Sequence, residues 1–482
     1  ILRKVVKAFV KGVRSRSSSV VASDDDMIED IAVVVQSMST AVAEDQPASP
    51  EVDALNAVSV SFGTGLVEGI DVSLPAGGPS LSLSNEKFFL LSEKVMQNVV
   101  SGSLLSTMTV GTLQNLLKSH LTHLLQLFHD LSRTGSGEMF ESFQGHRQIH
   151  IKLVQGGLQG LLPSSVQTKY LDSSNDLHNL LRTLSSTVFS KTVRLNSLSS
   201  GGFSLSKSNA QELVQSSVRQ LLMSTSTKIL NSTYATQIKW HQCIMEGLVQ
   251  SIQTASDIPS GVVANTEDMN VLIRNIAQGS VDGVSEACTT STEFEESVQL
   301  VTTSVVRNIA RVAAGIVPSV PTSDLSSLQV AASSGFFSGL GALPSTLSNR
   351  NVLVPDSAGL TALTSTVCKA VTECVSESTS FGEMKSVNAN YDMALTLQSL
   401  SKSMVSEAAV LSSSTSSWLV GGAVSVSDLV STCTAAVLSG VAGSQISSSS
   451  ERQLLIRRVS RGVVLGLMNQ GDALTGESFS NA

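Results

Sequence analysis

The side chains able to hold a metal or attack a substrate are few in this chain, and their spacing suits neither task. Five cysteines occur, Cys243, Cys288, Cys368, Cys374 and Cys433, in an arrangement that matches no zinc or redox motif. Cys368 and Cys374 are six residues apart on a predicted helix, so they project to different sides and do not bridge. The odd count leaves at least one thiol unpaired within the segment. Buried free cysteine is the expected state for most of them, with one intermolecular link left open. All seven histidines lie between His120 and His241. His120 and His123 are three apart, and His146 and His150 four apart, so each pair shares one helix face, as helical zinc ligands do. No neighbouring cysteine or acidic pattern completes either site.

No P-loop, dinucleotide-binding glycine motif, nucleophile elbow or zinc-protease motif is present. The sequence therefore assigns no catalytic residue, no cofactor and no metal ligand, and a chain of this kind is expected not to be an enzyme. Asn231-Ser232-Thr233 is an acceptor triplet for N-glycosylation, at the frequency chance gives in a chain rich in Ser and Thr.

The elements that carry these residues repeat. VLIRNIAQGSVDGV at Val271–Val284, LLIRRVSRGVVLGL at Leu454–Leu467 and ILRKVVKAFVKGV at Ile1–Val13 align so that Arg3, Arg274 and Arg457 coincide, as do Gly12, Gly283 and Gly466. A second family is GLVEGI at Gly65, GGLQGL at Gly156, GLVQSI at Gly247 and GFFSGL at Gly335. The first two steps of this family are both 91 residues. Alternate copies match better: Glu86 to Glu267, Gly102 to Gly283 and Pro163 to Pro344 are each 181 apart. The histidines stay out of this register, since Val301 stands where the same shift would place His120. A fixed period of this kind marks a repeat architecture.

Apolar residues within each copy fall at three- and four-residue steps, as in Phe88, Leu91, Val95 and Val99, which is a helical stripe. Asn85-Glu86 and Thr266-Glu267 read as a capping residue followed by an acid. None of the ten prolines falls inside a proposed helix, where each would cost about 3 kcal/mol. Alternating segments such as Asp71–Ser84 are short and rich in Pro and Gly, and they read as linkers. The expected fold is all-α, in tandem three-helix units of about 91 residues paired into a repeat of about 182, with about sixteen helices. The units span 1–72, 84–163, 170–256, 264–344 and 357–444, with the start of a sixth at 450–482. Gly65 and Gly156 are expected to let another helix pack closely, because apolar residues continue beyond them. The three repeat arginines are expected in equivalent places, meeting acids such as those at Asp24–Asp26 or Glu293–Glu296.

Composition narrows the function classes. The chain is 41% hydrophobic but only 15% charged and 4% aromatic, against about 25% charge in ordinary domains. Roughly one residue in six is serine, well above usual usage. Helix faces that would carry Lys and Glu carry Ser, Thr, Gln and Asn instead, and such faces pack against neighbours without desolvating charge. A net charge of −8 leaves no nucleic-acid footprint. The apolar runs are too short for a membrane span, and the basic start at Arg3, Lys4, Lys7 and Lys11 reads as a repeat helix with a basic face. The segment opens without methionine or signal peptide and reads as a slice of a longer repetitive polypeptide.

Tandem helical domains of this size, Ser-rich and poor in charge and aromatics, with Ser/Gly/Pro linkers, resemble the repetitive region of spider silk proteins of the tubuliform and aciniform types. LVSTCTAAVLSGVAG and LVQSSVRQLLMSTSTKIL carry the resemblance, which is one of architecture and composition. The basic helices and the number of cysteines depart from that pattern, and there is little poly-Ala or poly-Ser. The resemblance implies a secreted, extracellular structural protein that self-associates into filaments, and it carries over no functional residues. Two other readings compete: a helical-bundle carrier of an apolar ligand or lipid, and a helical-solenoid scaffold. Small side chains favour tight packing over a pocket. A three-helix unit departs from the helix pairs of common solenoids.

Overall fold

The computed structural model describes residues 2–19, 23–46, 50–70, 84–105, 108–134, 143–162, 174–194, 206–226, 233–253, 265–316, 322–343, 347–377, 391–416, 418–420, 424–443 and 449–468. Among these residues the fold is all-α, with seventeen helices and no strand. Sixteen helices are long and one is a single turn. The segment Asp71–Ser84, read as a linker, lies outside the described residues except for Ser84, and all the prolines but Pro50 and Pro355 lie outside them as well. Those two stand outside helices.

The chain divides into two compact units, Ile1–Ser224 and Thr225–Ala482. The first holds α1 (Leu2–Ser19), α2 (Asp24–Glu44), α3 (Val52–Ile70), α4 (Asn85–Leu104), α5 (Val110–Thr134), α6 (Phe143–Leu161), α7 (Ser174–Arg194) and α8 (Lys207–Met223). Here each helix packs most extensively on the helix two places along the chain. One row runs α1–α3–α5–α7 and the other α2–α4–α6–α8. Consecutive helices such as α1 and α2, α4 and α5 or α7 and α8 join the rows.

The second unit repeats the plan with α9 (Tyr234–Gln253), α10 (Thr266–Ala287), α11 (Ser291–Ile316), α12 (Thr322–Gly341), the single turn α13 (Arg350–Leu353), α14 (Ser357–Ser376), α15 (Met393–Thr415), α16 (Val426–Gly443) and α17 (Ser449–Met468). Its rows are α9–α11–α14–α16 and α10–α12–α15–α17. Each unit is thus four helix pairs stacked in two layers.

This packing explains the period. A step of 91 residues is three helices, and each of the five full ranges read from the sequence encloses three long helices. The contact step is two helices, so a step of three helices carries a residue from one row to the other, as from α3 to α6, whereas a step of six helices leads to the corresponding row of the second unit, as from α4 to α10. That is why alternate copies match better. The division between compact units follows the pairs and falls inside the range 170–256.

Local chemistry fixes the helix starts. The capping residue of α4 is Ser84 and that of α10 is Asn265, each one position before the residue the sequence suggested. The Ser84 Oγ accepts from the Lys87 N–H, and the Asn265 Oδ1 accepts from the Asp268 N–H. Ser23 and Asp26 close a full capping box at α2, a device that satisfies two orphan donors of the first turn. The core holds large side chains, among them Phe62, Phe88, Phe128, Phe294 and Phe336, all essentially without exposure.

Candidate functional site

The recurring chemical feature of both units is a contact in which a helix sets glycine against the backbone of the helix two places earlier. Gly65 of α3 lies where an added Cβ would stand 2.6 Å from the Arg3 carbonyl of α1. One turn on, a Cβ at Gly69 would meet the Val10 Cβ at 2.6 Å. On the other row Gly102 of α4 abuts the Gln36 carbonyl of α2, and Gly156 and Gly160 of α6 abut the Glu93 and Gln97 carbonyls of α4. In the second unit Gly335 and Gly339 of α12 close on Arg274 and Val281 of α10, Gly440 of α16 on Thr372 of α14, and Gly462 and Gly466 of α17 on Gln398 and Lys402 of α15. Real Cβ contacts essentially never occur below 3.0 Å, so a side chain at these places would push successive helices of the same row apart. In each of these contacts the glycine belongs to the later helix, whereas Gly63 of α3 and Gly341 of α12 meet side chains of later helices, Leu127 of α5 and Ser414 of α15.

Hydroxyl groups fill the seams beside the glycines. The Ser39 hydroxyl donates to the Val99 carbonyl at 2.7 Å and Thr40 to the Gly102 carbonyl at 3.0 Å. Ser326 and Thr396 link α12 to α15 at 2.7 Å. Ion pairs sit at the margins: Lys87 with Asp25, Lys94 with Glu29, Lys152 with Glu93, Arg147 with Glu212 and Arg307 with Glu377. Arg3 and Arg274 do occupy matching places, the carbonyl of each lying against a glycine, Gly65 and Gly335, of the next helix in its row. The guanidinium of Arg3, however, meets Glu68 rather than the acids at Asp24–Asp26. Glu68 lies on α3, the next helix of the same row, while Asp26 is engaged in the capping box and Asp25 with Lys87. Arg3, with Lys7 beside it, holds the Glu68 carboxyl down to about 2. Glu293, the other expected partner region, accepts instead from the N–H groups of Thr289 and Thr290.

The residues with metal-binding or nucleophilic chemistry stay apart or buried. His120 on α5 has no exposure and lies 5.4 Å from the Phe62 ring; burial, with His123 nearby, lowers its pKa to about 3. His150 on α6 is equally buried, with its Nε2 2.8 Å from the Ser217 hydroxyl and 2.9 Å from that of Thr192. Burial lowers it to about 4. Both imidazoles are therefore neutral core groups. Among the described residues no three His, Cys, Asp or Glu side chains gather as a metal site.

All five cysteines are buried and free. Cys368 of α14 and Cys433 of α16 bring their Sγ atoms to 2.7 Å as thiols, a contact between neighbouring helices of one row that the spacing of Cys368 and Cys374 gave no means of seeing. Burial pushes Cys288 up to about 12 and Cys374 to about 11. Since the thiolate is the reactive form, a disulfide reagent such as 5,5′-dithiobis(2-nitrobenzoate) is expected to react slowly with the native reduced protein and rapidly with five thiols once urea unfolds it. Fast native reaction of even one thiol would contradict this burial.

No protein-family model matches the chain, and no curated protein sequence matches it. Among solved structures it is similar to a circular tandem repeat protein with novel repeat topology and enhanced subunit contact surfaces. The TM-score is 0.27 at 14% identity, over 98% of this chain and 96% of that one. At that score and identity nothing of the other protein's assembly transfers to this chain. The helix rows themselves make this an all-α tandem-repeat protein. No described helix is long and apolar enough to cross a membrane.

Proposed function

We propose that this chain is a repeat segment of a secreted, extracellular structural polypeptide of silk-like kind, one that self-associates into fibres or filaments and carries no enzymatic centre. The observation that supports this best is the glycine-to-backbone contact, made again and again along both rows of both units. Helices this close leave little room for a cavity. Ser and Thr hydroxyls line the seams and ion pairs are kept to their margins, so much of the interface is cheap to desolvate wherever a like surface meets it. A chain built from one repeated contact is suited to extension.

The helix pairs in two layers also lend weight to the solenoid-scaffold reading, because stacked pairs are how such scaffolds are built. The two readings part on behaviour at high concentration. Negative-stain electron microscopy and light scattering of concentrated protein, with salt raised stepwise, are expected to show elongated assemblies. A protein that stays monomeric at millimolar concentration overturns the fibre reading; stoichiometric fatty-acid binding by that monomer would point to a carrier.

A further inference from the structure

Two thiols of the second unit are set directly against each other. Cys368 lies on α14 and Cys433 on α16, neighbouring helices of one row, and both side chains are without exposure. Their Sγ atoms stand 2.7 Å apart, against about 2.05 Å for a covalent S–S bond, so small side-chain rotations suffice to join them. Cys288 and Cys374 face oxygen instead. The first lies 3.4 Å from the Ser297 hydroxyl and the second 3.9 Å from the Thr303 carbonyl.

The helices hold this approach independently of the thiols. A Cβ added at Gly440 of α16 would stand 2.8 Å from the Thr372 Cβ and 3.3 Å from the Lys369 carbonyl of α14. Lys369 follows Cys368 directly, and Gly440 lies about two turns beyond Cys433 on the same helix. The close seam between α14 and α16 therefore runs past the pair, and a bridge there forms without the backbone movement that widely spaced cysteines need.

The pair also has a place in the topology. The two positions are 65 apart in sequence, and between them lies all of α15, which belongs to the other row and packs on both α14 and α16. A bond between the sulfurs turns α14, α15 and α16 into one covalent ring. Closing a long loop is where a cross-link restricts the unfolded chain most.

We propose that Cys368 and Cys433 are a modification site, at which exchange with a low-molecular-weight disulfide such as oxidised glutathione forms an intrachain disulfide that locks α14 to α16. One cysteine, as thiolate, attacks a sulfur of the small disulfide, giving a mixed disulfide and releasing one small thiolate. The second cysteine, as thiolate, attacks the protein sulfur of that mixed disulfide, forms the Cys368–Cys433 bond and releases the other small thiolate. The two protons lost by the cysteines end on the two small thiols, so two cysteines are oxidised and one small disulfide is reduced. Burial pushes the Cys368 thiol up, and the thiolate is the attacking form, so exchange runs while α16 has not yet closed on α14. Once made, the bond is shut away from reductant. It does not depend on the fibre reading, since a scaffold or a carrier with this seam would hold it equally.

Refolding the full chain from urea in a mixture of reduced and oxidised glutathione, then alkylating it in fresh urea, tests this by mass and peptide mapping. Two of the five cysteines should escape alkylation in a monomeric product, and one cross-linked peptide should join Cys368 to Cys433. Cys433→Ser should leave all four remaining cysteines alkylated, whereas Cys374→Ser should keep the bridge and leave two alkylated. The urea midpoint of the bridged protein should exceed that of the reduced protein, with no such difference in Cys433→Ser. Five alkylated cysteines in the refolded wild type, a bridge between another pair, or glutathione adducts in place of a bridge would overturn the site. A bridge that leaves the midpoint unmoved would overturn the lock.

Discussion

Replacing Gly156 with alanine is expected to destabilise the first compact unit, although alanine is by far the better helix former. Propensity alone favours alanine by about 1 kcal/mol. Against it, the new methyl group would lie on the Glu93 carbonyl oxygen and close to the Gln97 amide. These are backbone atoms of α4 and cannot rotate away, so α4 and α6 must separate along their length. Overpacking of this kind costs about 1–3 kcal/mol net, and the cost spreads to Gly160, one turn further along the same seam. Gly12→Ala supplies the control, since its Cβ meets nothing and only the propensity term remains. It should be neutral to stabilising by up to about 1 kcal/mol. Urea unfolding followed by circular dichroism reads both. If Gly156→Ala proved as benign as Gly12→Ala, the close row contact would be refuted.

That pair of glycines also shows how far the sequence could be read. Helix type was legible because apolar stripes, prolines and glycines agreed. Close packing at Gly65 and Gly156 was legible because apolar residues ran past them, where a capping glycine would have stopped the helix. The layering was not. Repeat matching compares sequences, and the same glycine dipeptide spacing serves helices of either row, so the 91-residue step from α3 to α6 hides the change of layer between them. Only contacts such as Ser39 to Val99 or Arg307 to Glu377, sixty to seventy residues apart, reveal that helices pair at every second place.

The ion partners were misjudged for a related reason. Arg3 is expected from the sequence to meet acids such as those at Asp24–Asp26 or Glu293–Glu296, whereas its partner Glu68 is set by the row step.

Acid should weaken the first unit far more than a surface-charge argument suggests. His120 and His150 titrate at about 3 and about 4 in the folded chain, against about 6.5 for an unfolded histidine. Both folded values are depressed, so below pH 6.5 the unfolded chain takes up protons that the native chain refuses. Stability is then fully present above pH 6.5 and is lost as pH falls towards 4. Each histidine contributes a slope of about 1.4 kcal/mol per pH unit in that window, so the two together remove about 5 kcal/mol between pH 6.5 and pH 4.5. That is a large share of the 5–15 kcal/mol that holds an ordinary domain together. Because both rings are fully buried, solvent screening does not soften the effect. Glu68, also depressed, adds little, being at the surface with Arg3 and Lys7. Six of the seven histidines lie in the first unit, and only His241 lies in the second, so the first unit is expected to unfold earlier on acid titration. His120→Leu keeps an apolar group against Phe62 and should remove about half the slope; His150→Gln keeps a donor near Ser217 and Thr192 and should remove the rest. Hydrogen exchange resolved along the chain, repeated from pH 7 to pH 4.5, separates the two units. Equal loss of protection in both, or a slope that survives both substitutions, would mean that these imidazoles are not the neutral core groups that their burial between α5, α6, α7 and α8 makes them.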